Sequence, residues 1–276
     1  MIVKEKDYVA IARKKVSRPS QTKSYRRYLV YGRNKKGKTR FSLSGGVENT
    51  LLLDPERGTD SMKSFDPYRW PIAKWEDLNE AYLALRTGQL SPKLLGLGPE
   101  EEPFSLVSVD GMTKINNFAL RYIMRLDEER NLERRPGIVD RRDYNKSGEL
   151  MKDMMLNFSN LKMDIVYTAQ ERRETTDGDE EEGGSTFFVP DVPQGVRGAL
   201  NSIVEVIGRI YTTKVTVKDK QNEGQTKDIM QRRLWIAPHA SYDTGYRSDF
   251  ALPDFIKSPT IGKLTSLILT GSEKGE

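Results

Sequence analysis

The chain has 276 residues, with 45 Lys and Arg against 40 Asp and Glu for a formal net charge of +5, and it contains no cysteine. The missing cysteines exclude disulfides, thiolate catalysis and cysteine-ligated zinc; the single histidine, His239, excludes a multi-histidine metal centre and, with no G-x-S-x-G elbow, a Ser-His-Asp triad. The length fits one large α/β domain with appendages, no apolar run approaches the about 18 residues of a membrane span, and the basic excess mildly favours a polyanionic partner.

Residues 1–27 carry many Lys and Arg among few apolar residues and read as an extended basic N-terminal arm, with Tyr8-Val9-Ala10-Ile11-Ala12 as its apolar patch. From Tyr28 short apolar runs alternate with helical stretches, the order of a parallel sheet with crossover helices. The runs are Tyr28 to Tyr31, Thr50 to Leu53, Phe104 to Val109 and Asp164 to Thr168. A helix is predicted over Trp75 to Leu85. Another covers Met112 to Arg130, where Ile115, Ala119, Tyr122, Ile123 and Leu126 recur at spacings of three and four. A third spans Ser147 to Phe158. Thr175 to Gly184 is acidic and Gly-rich and reads as a mobile loop. Beyond Leu200 the texture turns to β over Ile203 to Thr212, Lys214 to Val217 and Arg233 to Ala237, an antiparallel extension of the sheet. Residues 28–257 thus form the expected core, and 258–276 a C-terminal helix and tail.

Gly32-Arg33-Asn34-Lys35-Lys36-Gly37-Lys38-Thr39 satisfies G-x-x-x-x-G-K-[ST] directly after a predicted strand and before a predicted helix. Glycines there let successive backbone N–H groups turn inward around an anion. Lys38 is then placed to reach the β- and γ-phosphates of a nucleoside triphosphate, ATP by expectation, and the Thr39 hydroxyl to ligate Mg²⁺. The strand ending at Val109 is followed by Asp110, the acid such a site needs for its metal. Three residues beyond Leu53, the end of the second strand, stands Glu56, on the same sheet edge, a candidate to activate water; Asp54 is its local rival.

This ordered set resembles the RecA-like ATPases over approximately residues 25 to 257, and within them small phage AAA-type nucleotide-binding and single-strand-annealing recombinase proteins. The motif 32–39, the segment ending at Glu56, Asp110, the strand end Tyr167-Thr168-Ala169-Gln170 and the late Gly245 to Pro253 segment carry it. The resemblance implies a RecA-like P-loop NTPase core with a mainly parallel central sheet flanked by helices. It also implies a catalytic Glu56, a γ-phosphate-sensing Gln170, and an Arg247 reaching a neighbouring protomer's site, in place of the more usual Lys. It further implies DNA contact by two loops, here 127–148, with Arg134, Arg135, Arg141, Arg142, Tyr144 and Lys146, and 171–186, with Arg172 and Arg173. The acids from Asp177 to Glu182 would repel a phosphodiester backbone and depart from that pattern.

The expected function is an ATP-hydrolysing protein of DNA recombination that binds single-stranded DNA, promotes annealing or pairing, and assembles as a ring or filament with the ATP site between protomers. A single-strand DNA-binding protein is a possible further partner, and the expected location is the cytoplasm, the host's if the chain is phage-encoded. Two alternatives stand beside it. One is an ATP-dependent motor or loader in a replication complex, and the other is a small-molecule kinase, weakened by the lack of an Arg-rich lid.

Overall fold

The computed structural model describes residues 7–18, 23–61, 65–175, 185–218 and 226–273. Its sheet is built from β1 (Arg27–Gly32), β2 (Thr50–Asp54), β3 (Tyr68–Pro71), β4 (Leu106–Asp110), β5 (Asp164–Thr175), β6 (Thr186–Pro190), β7 (Val206–Lys218), β8 (Thr226–Trp235), β9 (Gly245–Tyr246) and β10 (Phe255–Lys257). The order is β10-β8-β7-β1-β5-β4-β2-β3, with β6 pairing β5 and β9 pairing β7. From β7 through β3 the neighbours run parallel, while β8, β10, β6 and β9 pair antiparallel. This is an α/β core with a mostly parallel sheet and an antiparallel part on the C-terminal side.

The central strands are short unbroken apolar runs because both faces are covered. Leu29, Tyr31, Leu53, Val109, Ile165 and Tyr167 pack on one face under α3 (Trp75–Leu85), α4 (Met112–Arg130), α5 (Arg141–Ser159) and α6 (Gln194–Ile203). Tyr28, Val30, Leu106 and Val166 face the other way, toward Phe41 of α2 (Lys38–Ser42) and Ile261, Leu264 and Leu267 of α7 (Ile261–Thr270). The expected C-terminal helix is thus packed as part of the core.

Four local expectations need correction. The arm is not extended throughout: α1 (Tyr8–Lys15) is a helix whose residues are all exposed, started by the Asp7 carboxylate accepting from the Val9 and Ala10 amides at 3.1 and 3.0 Å. Helix α5 begins at Arg141 rather than Ser147. Asp140 accepts from the Arg142 amide at 2.7 Å and Asp143 from the Asp140 amide at 2.8 Å, a capping box written in a polar run without apolar periodicity. Strand β7 begins at Val206, since Ile203 closes α6, and it runs unbroken to Lys218. The stretch expected as a second loop from 171 is in part a β-ribbon, Glu171 to Thr175 against Thr186 to Pro190. Its acidic run 176–184, expected to be mobile, lies outside the described residues.

Register brings the functional ends together. Gly32 pairs with Gln170, Asp110 with Thr168, and Leu53 with Val109, so the carboxyl ends of β1, β5, β4 and β2 share one edge.

Candidate active site

The loop from Gly32 to Gly37 leaves β1 and enters α2 through two close approaches. A Cβ on Gly32 would lie 2.4 Å from the Ile210 carbonyl oxygen of β7, so only glycine fits between these strands. Gly37 sits at φ 92°, in the left-handed region that glycine adopts without strain. Lys35 has φ 61°, a conformation uncommon for a side-chain-bearing residue. Lys38 opens α2 and folds its ammonium back over the loop, donating to the Gly32 and Arg33 carbonyls at 2.9 and 3.2 Å. Burial pushes its pKa below the ordinary lysine value, opposed by the charges of Asp110, Glu56 and Glu171.

Asp110, only 8% exposed, receives the Thr39 hydroxyl on one oxygen and the Thr168 hydroxyl on the other, each at 2.5 Å. Burial raises its pKa, against the pull of the two hydroxyls. A buried carboxylate and a hydroxyl side by side form the hard oxygen donor set that Mg²⁺ takes, the remaining positions falling to phosphate and water. Thr39 and Asp110 therefore fit as metal-holding residues. Among the described residues no group of three or more acidic or histidine side chains offers a rival metal site.

Glu56 and Gln170 meet at this edge, the Gln170 amide donating to the Glu56 carboxylate at 3.4 Å. Gly111, next to Asp110, leaves room for Glu56: a Cβ there would come 2.7 Å from its Oε1. Asp54, the local rival, is otherwise occupied. Its buried carboxylate accepts from the Gly58 amide at 3.1 Å and the Thr59 hydroxyl at 2.6 Å, and so shapes the turn that carries Glu56.

Two residues here were not legible as site residues. Thr168 matters only because register sets it opposite Asp110. The Thr113 hydroxyl accepts from the Gln170 backbone N–H at 3.1 Å and donates to the Asp191 carbonyl at 2.9 Å, tying the middle of β5 to α4 and to the turn before α6.

Of the other loop cations, Lys35 is exposed, and Arg33 and Lys36 have partners within the chain. Arg33 pairs with Glu171 at 3.2 Å, and Glu171, 3% exposed, pairs also with Arg209 at 2.6 Å. Lys36 donates to the Thr212 hydroxyl at 2.9 Å. Asn34 is exposed.

The residues read as DNA contacts divide. Arg134 is structural: its side chain is 9% exposed and bridges Asp127 and Asp143, and Asp143 is itself held well below the usual carboxylate range by that guanidinium. Lys146 pairs with Asp127 at 3.3 Å, Arg172 with Glu174 at 2.5 Å and Asp191 at 3.6 Å, and Arg173 donates to the Thr186 hydroxyl at 3.1 Å. Arg135, Arg141, Arg142 and Tyr144 remain exposed around the start of α5. Arg247 follows β9, which pairs with the first residues of β7, at the amino edge of the sheet. It is therefore at the opposite edge from its own P-loop, donating to the Asn201 and Ser202 carbonyls at 3.3 and 3.0 Å.

A glycine-bounded loop between a buried parallel strand and a helix, a lysine over that loop, and a Thr–Asp pair one strand removed define a P-loop NTPase core. The sequence profile of the AAA domain matches residues 24–248, and the chain belongs to that family. Among curated proteins no sequence matches it. No helix among the described residues is long and apolar enough to cross a membrane.

Proposed function

We propose that the protein is a Mg²⁺-dependent ATPase, a reading carried by the convergence of Lys38, Thr39, Asp110, Glu56 and Gln170 on one sheet edge. A triphosphate entering the loop takes the place of the Gly32 and Arg33 carbonyls as the partner of the Lys38 ammonium. Mg²⁺ supplies charge neutralisation for the phosphates when bound, and Thr39 and Asp110 hold it there. Glu56 is placed to accept the proton of a water as its oxygen attacks the terminal phosphorus, with ADP as leaving group and inorganic phosphate as second product. Gln170 holds the Glu56 carboxylate and can hydrogen-bond that water without adding charge. Hydrolysis of ATP that requires Mg²⁺ and vanishes in Lys38→Ala is the test; turnover surviving that substitution would sink it.

The finer reading is RecA-like action in DNA recombination: an assembly on single-stranded DNA that promotes annealing or pairing. Exposed Arg135, Arg141, Arg142 and Tyr144 support it, since clustered guanidiniums with an aromatic ring suit phosphate contact and base stacking. The location of Arg247, at the sheet edge opposite its own P-loop, is the observation behind reading the ATP site as shared between protomers. The internal pairing of Arg134, Lys146 and Arg172 favours the second reading, a motor or loader that reaches DNA through a partner. Filter binding of single-stranded oligonucleotides at low salt, with and without ATP, decides between them: ATP-stimulated retention supports the first, and none leaves the second.

A further inference from the structure

Strand β5 outruns the strand beside it. Its register with β4 ends at Thr168 opposite Asp110, and its pairing with β6 begins at Glu171 opposite Pro190. Ala169 and Gln170 lie between, still beside Tyr31 and Gly32 of β1 but past the last pair with β4.

Backbone donors of an inner strand point alternately to its two neighbours. Ile165 donates to the Arg26 carbonyl just before β1, and Asp164 to the Ser105 carbonyl just before β4. Even-numbered residues of β5 therefore donate toward β4, Gln170 among them. The next acceptor in line on that side is the Gly111 carbonyl. It is already taken, because the amides of Lys114 and Ile115 donate to it at 3.0 and 3.1 Å as α4 starts. A part-buried N–H left without an acceptor is costly.

Thr113, in the first turn of α4, supplies that acceptor. Its hydroxyl takes the Gln170 N–H at 3.1 Å and donates to the Asp191 carbonyl at 2.9 Å. The Asp191 N–H in turn donates to the Gln170 carbonyl at 2.8 Å. Three bonds thus close a ring on both backbone polar groups of Gln170, the residue whose side-chain amide reaches Glu56. The ring needs a side chain that accepts and donates at one atom, which a hydroxyl does and a methyl does not.

We propose that Thr113 is a positioning residue for hydrolysis: its hydroxyl fixes the backbone of Gln170 and so aims the Gln170 amide at the Glu56 carboxylate and the attacking water. This rests on the ATPase reading and adds to it a residue that acts through Gln170 rather than on the nucleotide. Its loss therefore slows turnover without loosening nucleotide binding.

The test compares steady-state ATP hydrolysis and calorimetric titration of ADP, both with Mg²⁺, in the wild-type chain, Thr113→Val and Thr113→Ser, with thermal melting as a folding control. Valine keeps the shape and loses the hydroxyl, while serine keeps the hydroxyl. Thr113→Val should lower kcat about 10- to 100-fold, the scale of an ångström-sized misplacement. Its ADP dissociation constant should move less than about twofold, since only an interaction of the transition state is lost. Thr113→Ser should recover most of the rate. In a Gln170→Ala background Thr113→Val should slow turnover no further, because both changes disable one device. If the valine variant does not fold, Thr113→Ala, which also lacks the hydroxyl, takes its place. An unchanged kcat without the hydroxyl would overturn the proposal. So would a serine variant as slow as the valine one, a matching loss of ADP affinity, or further slowing on top of Gln170→Ala. Failure of the underlying reading looks different: Lys38→Ala would hydrolyse ATP as fast as the wild type.

Discussion

Lys38 and Asp110 have opposite charges and opposite shifts, and both shifts trace first to burial. Each group is disfavoured in its charged form before ligand arrives. For Lys38, whose folded pKa lies below its unfolded value, the penalty is present at neutral pH and is relieved as pH rises through the lowered pKa. Since only the ammonium binds phosphate, nucleotide affinity should fall through that same window, earlier than an ordinary lysine allows. A calorimetric pH series would check this, and a flat profile up to the usual lysine range would contradict it. For Asp110, whose folded pKa is raised, the stability present at acid pH is lost as pH rises through the raised value. Mg²⁺ with nucleotide should therefore raise the melting temperature more at neutral than at acid pH. Glu56→Gln should keep ATP affinity while slowing hydrolysis by about 10²- to 10⁴-fold, the usual worth of a general base. Asp54→Asn should instead lower the melting temperature, because that carboxylate shapes the turn rather than touching substrate.

At the scale of elements, the close approach of β1 and β7 at Gly32 makes a direct prediction. Gly32→Ala forces the strands apart at a backbone oxygen that cannot rotate away, and should cost about 1–3 kcal/mol in denaturant unfolding, the range for overpacking. The α4–α5 connection separates structural from ligand-facing cations. Arg134→Ala should lower the melting temperature, since it leaves the buried Asp143 without its main partner. Replacing Arg141 and Arg142 with Ala should leave stability unchanged and, if DNA binds there, reduce the salt slope of binding by about 0.7–0.9 for each lost phosphate contact. An unchanged slope would remove this segment from the interface. These cases also show where sequence is mute. Helices α3 and α4 are written in apolar periodicity and are legible to the residue. The first turn of α5 and the β5–β6 ribbon are specified by a capping box and by cross-strand pairing, which need partners distant in the chain or set by backbone geometry.

Across the whole molecule, the sheet edge and its motif were legible because the P-loop, Glu56, Asp110 and Gln170 all lie at or just beyond the ends of plain apolar runs, although β5 continues past Gln170 to Thr175. Thr113 was not, since only the packing of α4 against β5 brings it to the site. The proposed sharing of the ATP site between protomers makes a further prediction from Arg247, which sits at the edge opposite its own P-loop. Mixing Lys38→Ala with Arg247→Ala chains should restore part of the ATPase activity that each lacks alone, because some mixed interfaces pair an intact P-loop with an intact arginine. No recovery on mixing would confine Arg247 to holding the end of α6. Crystallography of the protein with Mg²⁺ and a non-hydrolysable ATP analogue tests the Mg²⁺–nucleotide site itself. The triphosphate should lie over Gly32 to Thr39 with Lys38 on its outer phosphates and the metal between Thr39 and Asp110; a nucleotide bound elsewhere, with the Lys38 ammonium still on the Gly32 carbonyl, would refute the site.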